Sequence, residues 1–338
     1  MPNQRTGGNS VHRVARPRPK APARTFGESA DWSDHRGCEG LYGNRPLDLL
    51  RCLRPLQWLK CLLLLAAPFF AWLDPTQALP GAVALQERLG LALVAFALVS
   101  SAAYVFNDAC DLKADARDPL RKGRPLAARR VSLGAAVPLA LVCLAAGLAA
   151  AWFHGHRFGG WGLLAVTLAY ALIQPVYSLW AKRVAELGAC LVALGFVARA
   201  AAGALAVGVR LSPWLLLCVF LLTFLVALCK RRAAHFEKGA KAPSAAEGRI
   251  LDLEIGLSAA ATLATYTLYT LATETVALYG TDRLVWTVPL VLLGLCRCLR
   301  LTYAERRAAN PERLLLDPAL LGLLAAWATA CALVVRLA

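Results

Sequence analysis

The chain has 338 residues, of which 58% are hydrophobic and 17% charged, against about a quarter charged in an average soluble domain. Lys and Arg number 37 and Asp and Glu 21, for a formal net charge of +16, and the mean hydropathy is +0.53. So much apolar surface with so few charges to cover it excludes a disordered chain, a nucleic-acid binder and an ordinary cytosolic enzyme.

Residues 1–50 stand apart. They open with MPNQRTGGNSVHRVARPRPKAPARTF, rich in Arg and Pro, with no acidic residue before Glu28. The segment has no apolar run, so a disordered cytoplasmic tail is expected and not a cleavable secretory signal. From Arg51 onward, long apolar runs alternate with short polar connections. Nine runs fall at about 58–74, 88–106, 132–152, 160–178, 187–208, 213–230, 255–275, 284–302 and 317–337. Each approaches the ~20 residues that a helix needs to cross hydrocarbon. This predicts an all-α polytopic membrane protein whose nine transmembrane helices occupy residues 51–338. Pro68 interrupts the first run.

Every second connection is basic. Lys113, Arg117, Arg121, Lys122, Arg124, Arg129 and Arg130 lie in 107–131, and Lys182 and Arg183 follow the fourth run. Lys230, Arg231, Arg232, Lys238, Lys241 and Arg249 follow the sixth, and Arg297, Arg300, Arg306, Arg307 and Arg313 follow the eighth. Arg51, Arg54 and Lys60 precede or open the first, whereas Arg88, Arg157, Arg210 and Arg283 stand nearly alone in the alternate connections. The positive-inside rule then puts the N-terminus in the cytoplasm and the C-terminus outside, in a plasma membrane. The 11 cysteines include no CxxC pair, and many fall inside apolar runs, so they are expected to act as small hydrophobes.

Topology needs only Lys and Arg, so clustered carboxylates need another reason. The second run ends in YVFNDACDLKADARDPLRKGRP, residues 104–125. On a continuous helix, Asp108, Asp111 and Asp115 share a face and repel one another. Mg²⁺ suits them, because it takes hard oxygen ligands from carboxylates, substrate phosphates and water. Asn107 adds a neutral oxygen, so Asn107, Asp108, Asp111 and Asp115 are the expected metal ligands. Arg121, Lys122 and Arg124 follow closely and suit phosphate oxygens. Lys113 points away from the acidic face.

PVYSLWAKR at 175–183 places Tyr177 and Ser178 about one turn before Lys182 and Arg183. Tyr177 and Lys182 are expected to hold phosphate. Arg199 lies about 12 residues into its run, some 18 Å along a helix, where an ionisable residue faces the bundle interior and is a functional candidate. Gly195 and Gly203 on the same run permit close helix contact. Lys230 and Arg231, where the sixth run meets cytosol, suit a polyanionic substrate, with His235 a weak acid–base candidate. Tyr266 and Tyr269 are expected to line a polar cavity. Asp252 and Glu254 are read as helix caps or minor metal neighbours, Trp58 as an interfacial anchor, Gln57 and Lys60 as bordering the site, and Arg300 and Tyr303 as marginal.

On these residues the chain resembles the UbiA superfamily of intramembrane prenyltransferases. Asn107-Asp108-x-x-Asp111-x-x-x-Asp115 resembles that family's first aspartate-rich motif, and nine helices are similar to its fold. RPLQWLK at 54–60, NDACDLKADARDPLRKGRP at 107–125, VYSLWAKR and GFVARAAAGALAVG within 176–208, and SPWLLLCVFLLTFLVALCKRR at 212–232 resemble the decaprenyl-phosphate phosphoribosyltransferase branch. The resemblance implies a UbiA-like bundle and Mg²⁺-dependent transfer of 5-phosphoribose from phosphoribosyl pyrophosphate to a polyprenyl phosphate. Pyrophosphate leaves, and the product resembles an early precursor of lipid-linked arabinofuranose for envelope polysaccharide. Asp108, Asp111, Asn107, Asp115 and Lys182 are expected to carry the reaction. Lys60, Arg121, Lys122, Arg124, Tyr177, Arg199, Lys230, Arg231 and Tyr266 are expected to bind substrate. The implied partners are the two substrates and membrane lipids, with no nucleic acid, and self-association is left open.

The chain departs from the branch at several positions. Asp118-Pro119 stands where His-Pro is usual, Arg121 where a lysine is, Gly188 where an aspartate is, and Ala233-Ala234-His235 where a glutamate is. A second aspartate-rich motif between the sixth and seventh helices is absent from the sequence, which argues against an ordinary quinone or haem prenyltransferase. Two other readings stand beside the first. In one, a prenyl group moves from its diphosphate to an aromatic or other small acceptor. In the other the chain is a transporter without chemistry, which midplane charges would favour over a carboxylate mouth at a helix end.

Overall fold

The computed structural model describes residues 45–74, 76–237, 245–305 and 316–337. The expectations for the tail at 1–44 and for Lys238, Lys241, Arg306, Arg307 and Arg313 lie outside them, as does the side chain of His235. A short helix, α1 (Pro46–Cys52), begins inside the segment expected to be tail. The first span joins a 3₁₀ helix (Pro55–Leu65) to α2 (Ala66–Leu73). A 3₁₀ helix rises faster, so its 11 residues reach about 22 Å, against ~16 Å for an α-helix. Pro68 does not interrupt this span. It falls in the first turn of α2, just after the 3₁₀ segment gives way to α-helix.

The second span is α3 (Ala82–Cys110), followed by a short α4 (Leu112–Arg117). Next come α5 (Leu133–Phe158), α6 (Gly162–Leu179), α7 (Ala185–Val207) and α8 (Pro213–Glu237). A 3₁₀ turn (Ala181–Arg183) joins α6 to α7. The chain ends with α9 (Ala245–Leu271), α10 (Thr273–Tyr279), α11 (Val288–Tyr303) and α12 (Pro318–Arg336). Among the described residues eight helices are long and apolar enough to cross a membrane. The pair α9–α10, bent by 54° at the extended residue Ala272, makes a ninth if it is counted as one span. The protein is an all-α polytopic membrane protein.

One apolar cluster, with Leu64, Phe96, Val99, Leu163, Tyr170 and Ala202, packs the first five spans together. A second, with Leu225, Leu228, Ile255, Leu295 and Leu301, packs the later ones. Leucines and valines such as Val142, Leu172, Leu257 and Leu324 stay exposed, as a lipid-facing surface requires. Cys52, Cys61, Cys143, Cys229, Cys298 and Cys331 are buried as free thiols, in keeping with small hydrophobic filling.

The most enclosed span is α7, with 61% of its window buried, and its buried side chains are mostly alanine. Small residues let helix backbones meet. At Gly203 this contact is extreme: a Cβ built there would stand 1.8 Å from the carbonyl oxygen of Leu64. The first span therefore lies directly on α7. A Cβ at Gly147 of α5 would meet Val99 Cγ2 at 2.7 Å and the Ala95 carbonyl at 2.9 Å, which sets the α3–α5 contact. At the bundle end where α2 stops, buried Asp74 accepts hydrogen bonds from the Thr76 backbone (2.8 Å), the Thr76 hydroxyl (2.7 Å) and Gln77 (2.6 Å). Arg210, between α7 and α8, reaches both Asp74 and Thr76 and ties these connections together.

Gly203→Ala is expected to destabilise the protein by about 1–3 kcal/mol or more, since the obstacle is backbone and cannot rotate away. Gly256→Ala, which meets nothing within 4 Å, is the control. Melting temperatures in detergent decide between them. Equal melting of the two variants would contradict the direct contact of α7 with the first span.

Candidate active site

The site forms where α3 ends. Helix α3 stops at Cys110, and Asp111 turns the chain (φ −94°, ψ 2°) into α4. The break separates the aspartates that a continuous helix would align. Asp108 and Asp115 converge on a single guanidinium: Arg124 Nη1 donates to Asp108 Oδ1 at 3.0 Å and to Asp115 Oδ2 at 2.5 Å. Asp111 turns elsewhere. Its Oδ1 receives Lys182 Nζ at 2.5 Å and its Oδ2 receives Asn107 Nδ2 at 3.3 Å. Lys182 also reaches Asn107 Oδ1 at 3.4 Å.

Further cations surround this core. Arg54, between α1 and the first span, donates to Asp108 Oδ1. Arg121 lies 3.5 Å from Asp115 Oδ1 and 3.5 Å from Asp118. Lys60 and Arg54 stand 5.8 Å and 5.4 Å from the ring centroid of Tyr104, one turn before Asp108 on α3. Lys230, near the end of α8, stands among Lys60, Arg121, Arg54 and Arg124. Tyr177 of α6 has Asp111 and Arg121 as charged neighbours. Arg54, Arg121, Arg124 and Lys182 thus pair with Asp108, Asp111, Asp115 and Asp118 at one mouth, with Lys60 and Lys230 close by.

Asp115 is the deepest carboxylate, 1% exposed. Burial holds its carboxyl above the usual carboxylate range. Arg124 and Arg121 act against that rise, and nearby Asp108 adds to it. Its Oδ1 is buried without a hydrogen bond, with only Arg121 at ion-pair distance. A buried oxygen in that condition keeps acceptor capacity that a cation could use. Among the described residues no three carboxylate, His or Cys side chains close into a metal cage, so the four-ligand set expected from the motif is not assembled as one. Mg²⁺ does not require such a cage. It commonly takes one or two carboxylates and completes its shell with substrate oxygens and water. The carboxylate mouth fits it on those terms.

Several expected residues are not brought here. Arg199 is 3% exposed and spent on the bundle. Its Nη1 donates to the Gly195 carbonyl (2.9 Å), and its Nη2 to Tyr170 (2.8 Å) and Ser100 (3.1 Å). Ser100 precedes Asp108 by eight residues on α3, about 12 Å of helix. Arg199 therefore ties α3, α6 and α7 together below the mouth. Tyr266 is also remote. Its hydroxyl bonds Thr287 at 2.6 Å and receives Trp327 Nε1 at 2.7 Å, near the start of α11. Tyr269 lies beside it and Trp214, with the rings tilted to one another.

Lys122 is exposed on the outer side of its turn, and Arg231 stands beside Glu254. Asp252 is taken by Arg232 (2.6 and 3.0 Å) and by the Tyr303 hydroxyl (2.7 Å). Arg300 is exposed beside Glu305. Trp58 is not a simple interfacial anchor, because its Nε1 donates to Ser101 of α3 at 2.9 Å. The sequence reading passed over two residues of the mouth. Tyr104 was visible as the residue four before Asp108. Arg54 stands in the sequence as an orienting charge and as the first residue of RPLQWLK, without a role at the site.

The UbiA prenyltransferase family model matches residues 62–322, and the chain belongs to that family. Among curated relatives, the decaprenyl-phosphate phosphoribosyltransferase of Mycolicibacterium smegmatis is 36% identical over 186 residues, 55% of this chain and 56% of that one. The protein of the same name from Corynebacterium glutamicum is 33% identical over 199 residues, 57% of each chain. The matches thus span a little over half the length of these relatives. A solved UbiA homolog from Archaeoglobus fulgidus, bound to DMAPP and Mg²⁺, superposes with a TM-score of 0.62 at 20% identity, covering 86% of this chain and all of that one. This last likeness is one of fold.

Arg124→Ala is expected to cost about 3 kcal/mol, because it strips a shared counter-charge from two buried carboxylates. Burial raises the pKa of Asp115 in the folded state, so the loss is smallest at acid pH. It grows as pH rises through the raised pKa of Asp115. Adding Asp115→Asn to Arg124→Ala should recover much of the stability at neutral pH. Thermal melts of the single and double variants across pH check this, and an additive double variant would contradict the shared contact.

Proposed function

We propose that the chain is a membrane transferase that moves 5-phosphoribose from phosphoribosyl pyrophosphate to a polyprenyl phosphate. The bond between C1 of the ribose and the pyrophosphate oxygen breaks. A lipid phosphate oxygen bonds to C1, and pyrophosphate leaves. The observation that carries this reading is the surplus of cations at the mouth. Arg54, Lys60, Arg121, Arg124, Lys182 and Lys230 outnumber Asp108, Asp111, Asp115 and Asp118. A donor bearing a pyrophosphate and a further phosphate, with an anionic acceptor beside it, calls for such a surplus more than a single prenyl diphosphate does. The family and the names of the curated relatives support the same reading.

Asp108 and Asp115, with Asp111 and Asn107 at hand, are the residues to hold Mg²⁺, which when bound supplies charge to a departing pyrophosphate. Arg124 holds Asp108 and Asp115 in register. Lys182 and Tyr177 approach from α6 and its following turn, where phosphate oxygens of the donor would be gripped. The acceptor phosphate is already anionic at neutral pH and needs positioning more than deprotonation. Lys230 and Lys60 are suited to that task, beside the lipid-facing first and sixth spans. The positive-inside rule puts this mouth on the cytoplasmic side of a plasma membrane, with the C-terminus outside. The lipid product would serve as a precursor of lipid-linked arabinofuranose.

Purified protein incubated with Mg²⁺, polyprenyl phosphate and phosphoribosyl pyrophosphate is expected to form a lipid-linked phosphopentose and release pyrophosphate. Asp108→Ala and Asp115→Ala should each reduce turnover by at least a hundredfold in folded protein, read by radiolabel transfer to lipid. Turnover of a prenyl diphosphate with a small acceptor, and none with this pair, would overturn the reading.

A further inference from the structure

Arg54 has φ 51° and ψ 60°, a left-handed backbone, immediately before Pro55. The left-handed region crowds any side chain beyond glycine, and a following proline restricts the residue further. Such outliers persist where the surroundings hold them, and they cluster at functional sites. The surroundings here are specific. The Arg54 guanidinium bonds Asp108 Oδ1, its carbon lies 5.4 Å from the Tyr104 ring centroid, and the side chain is 23% exposed. Arg124 already donates to that same Oδ1 at 3.0 Å. One carboxylate oxygen therefore has two guanidinium partners, of which Arg124 is shared with Asp115 and Arg54 is not. Asp108 Oδ2 takes no hydrogen bond from the described residues.

A second guanidinium on a metal-binding carboxylate acts in opposite directions on two ligands. It repels a bare divalent cation approaching Asp108. It attracts the same cation when that cation arrives on a diphosphate, because the anionic oxygens accept its N–H groups. We infer that Arg54 is a positioning residue that makes the mouth selective for a metal–diphosphate complex over the free metal. Asp108 holds it until the diphosphate oxygens take its place. The inference deepens the proposed function and rests on it only in that the site receives a metal-bound diphosphate.

The test uses Mn²⁺ as the probe. Binding to the full chain in detergent is followed by the electron paramagnetic resonance of free Mn²⁺, with and without inorganic pyrophosphate. In Arg54→Ala, bare Mn²⁺ is expected to bind several-fold tighter, and Mn²⁺ with pyrophosphate about tenfold weaker, the loss of one charge-assisted hydrogen bond. Arg54→Lys keeps the charge and should restore most of the wild-type preference. Arg54→Gly should bind as Arg54→Ala does but melt at a higher temperature, because glycine carries the left-handed backbone without steric cost.

A merely structural Arg54 would weaken both affinities together, and that result overturns the inference, as does no change in either. Arg54→Gly melting no higher than Arg54→Ala would overturn the strained-backbone part. Selective Mn²⁺–pyrophosphate binding without phosphoribosyl transfer would defeat the proposed function and leave this inference standing. Wild-type protein that fails to bind Mn²⁺ with pyrophosphate would defeat both.

Discussion

A single guanidinium nitrogen, Arg124 Nη1, holds Asp108 at the end of α3 and Asp115 in α4, and the mouth is organised around that bond pair. Without a shared cation, two carboxylates at a membrane boundary would repel, and the buried Asp115 would favour its neutral form. With it, the helix break at Asp111 becomes useful. Asp111 swings to Lys182, bringing the connection after α6 into the same cluster. Charge pairing therefore decides which loops meet, while the apolar spans decide only where the loops lie.

The bundle beneath makes this precise placement of loops feasible. Small residues on α7 let the first span lie against it, with Gly203 facing the Leu64 carbonyl. Arg199 fastens α3 to α6 and α7 through Ser100 and Tyr170. An arginine deep in a membrane bundle usually invites a functional reading. Here its Nη atoms are occupied by protein groups, so its work is to keep the helices that carry Asp108 and Tyr177 at a fixed spacing. Asp74 and Arg210 fasten the opposite end. Polar contacts thus tie both ends and the middle of the bundle.

Much of this was legible in the sequence for simple reasons. Hydrocarbon thickness fixes span length, so eight of the nine apolar runs became membrane-length helices and the ninth a bent pair, and alternating basic connections matched the grouping of Arg54, Arg124 and Lys182 at one end. Asp108 meets Asp115 through Arg124, and Asn107 and Asp111 meet Lys182, as two groups rather than one set. What periodicity could not show was where a helix stops. Treating 104–115 as one helix put three aspartates on one face, whereas the turn at Asp111 pairs the first with the third. Depth also misled. Tyr266 looked cavity-lining from its run, but α9 carries it away from the mouth to Thr287 and Trp327. Arg54 was hidden because its role depends on a left-handed backbone, which residue type alone does not announce.

The central claim is that Asp108 and Asp115, bridged by Arg124, are where a divalent ion and its diphosphate settle. A density map of the protein with Mn²⁺ and pyrophosphate, with the metal located by its anomalous signal, tests this most directly. The account expects the peak in contact with Asp108 or Asp115 and with pyrophosphate oxygens that also touch Arg124 or Lys182. A peak beside Asp252 and Arg232, or at the Asp74 end of the bundle, would contradict it.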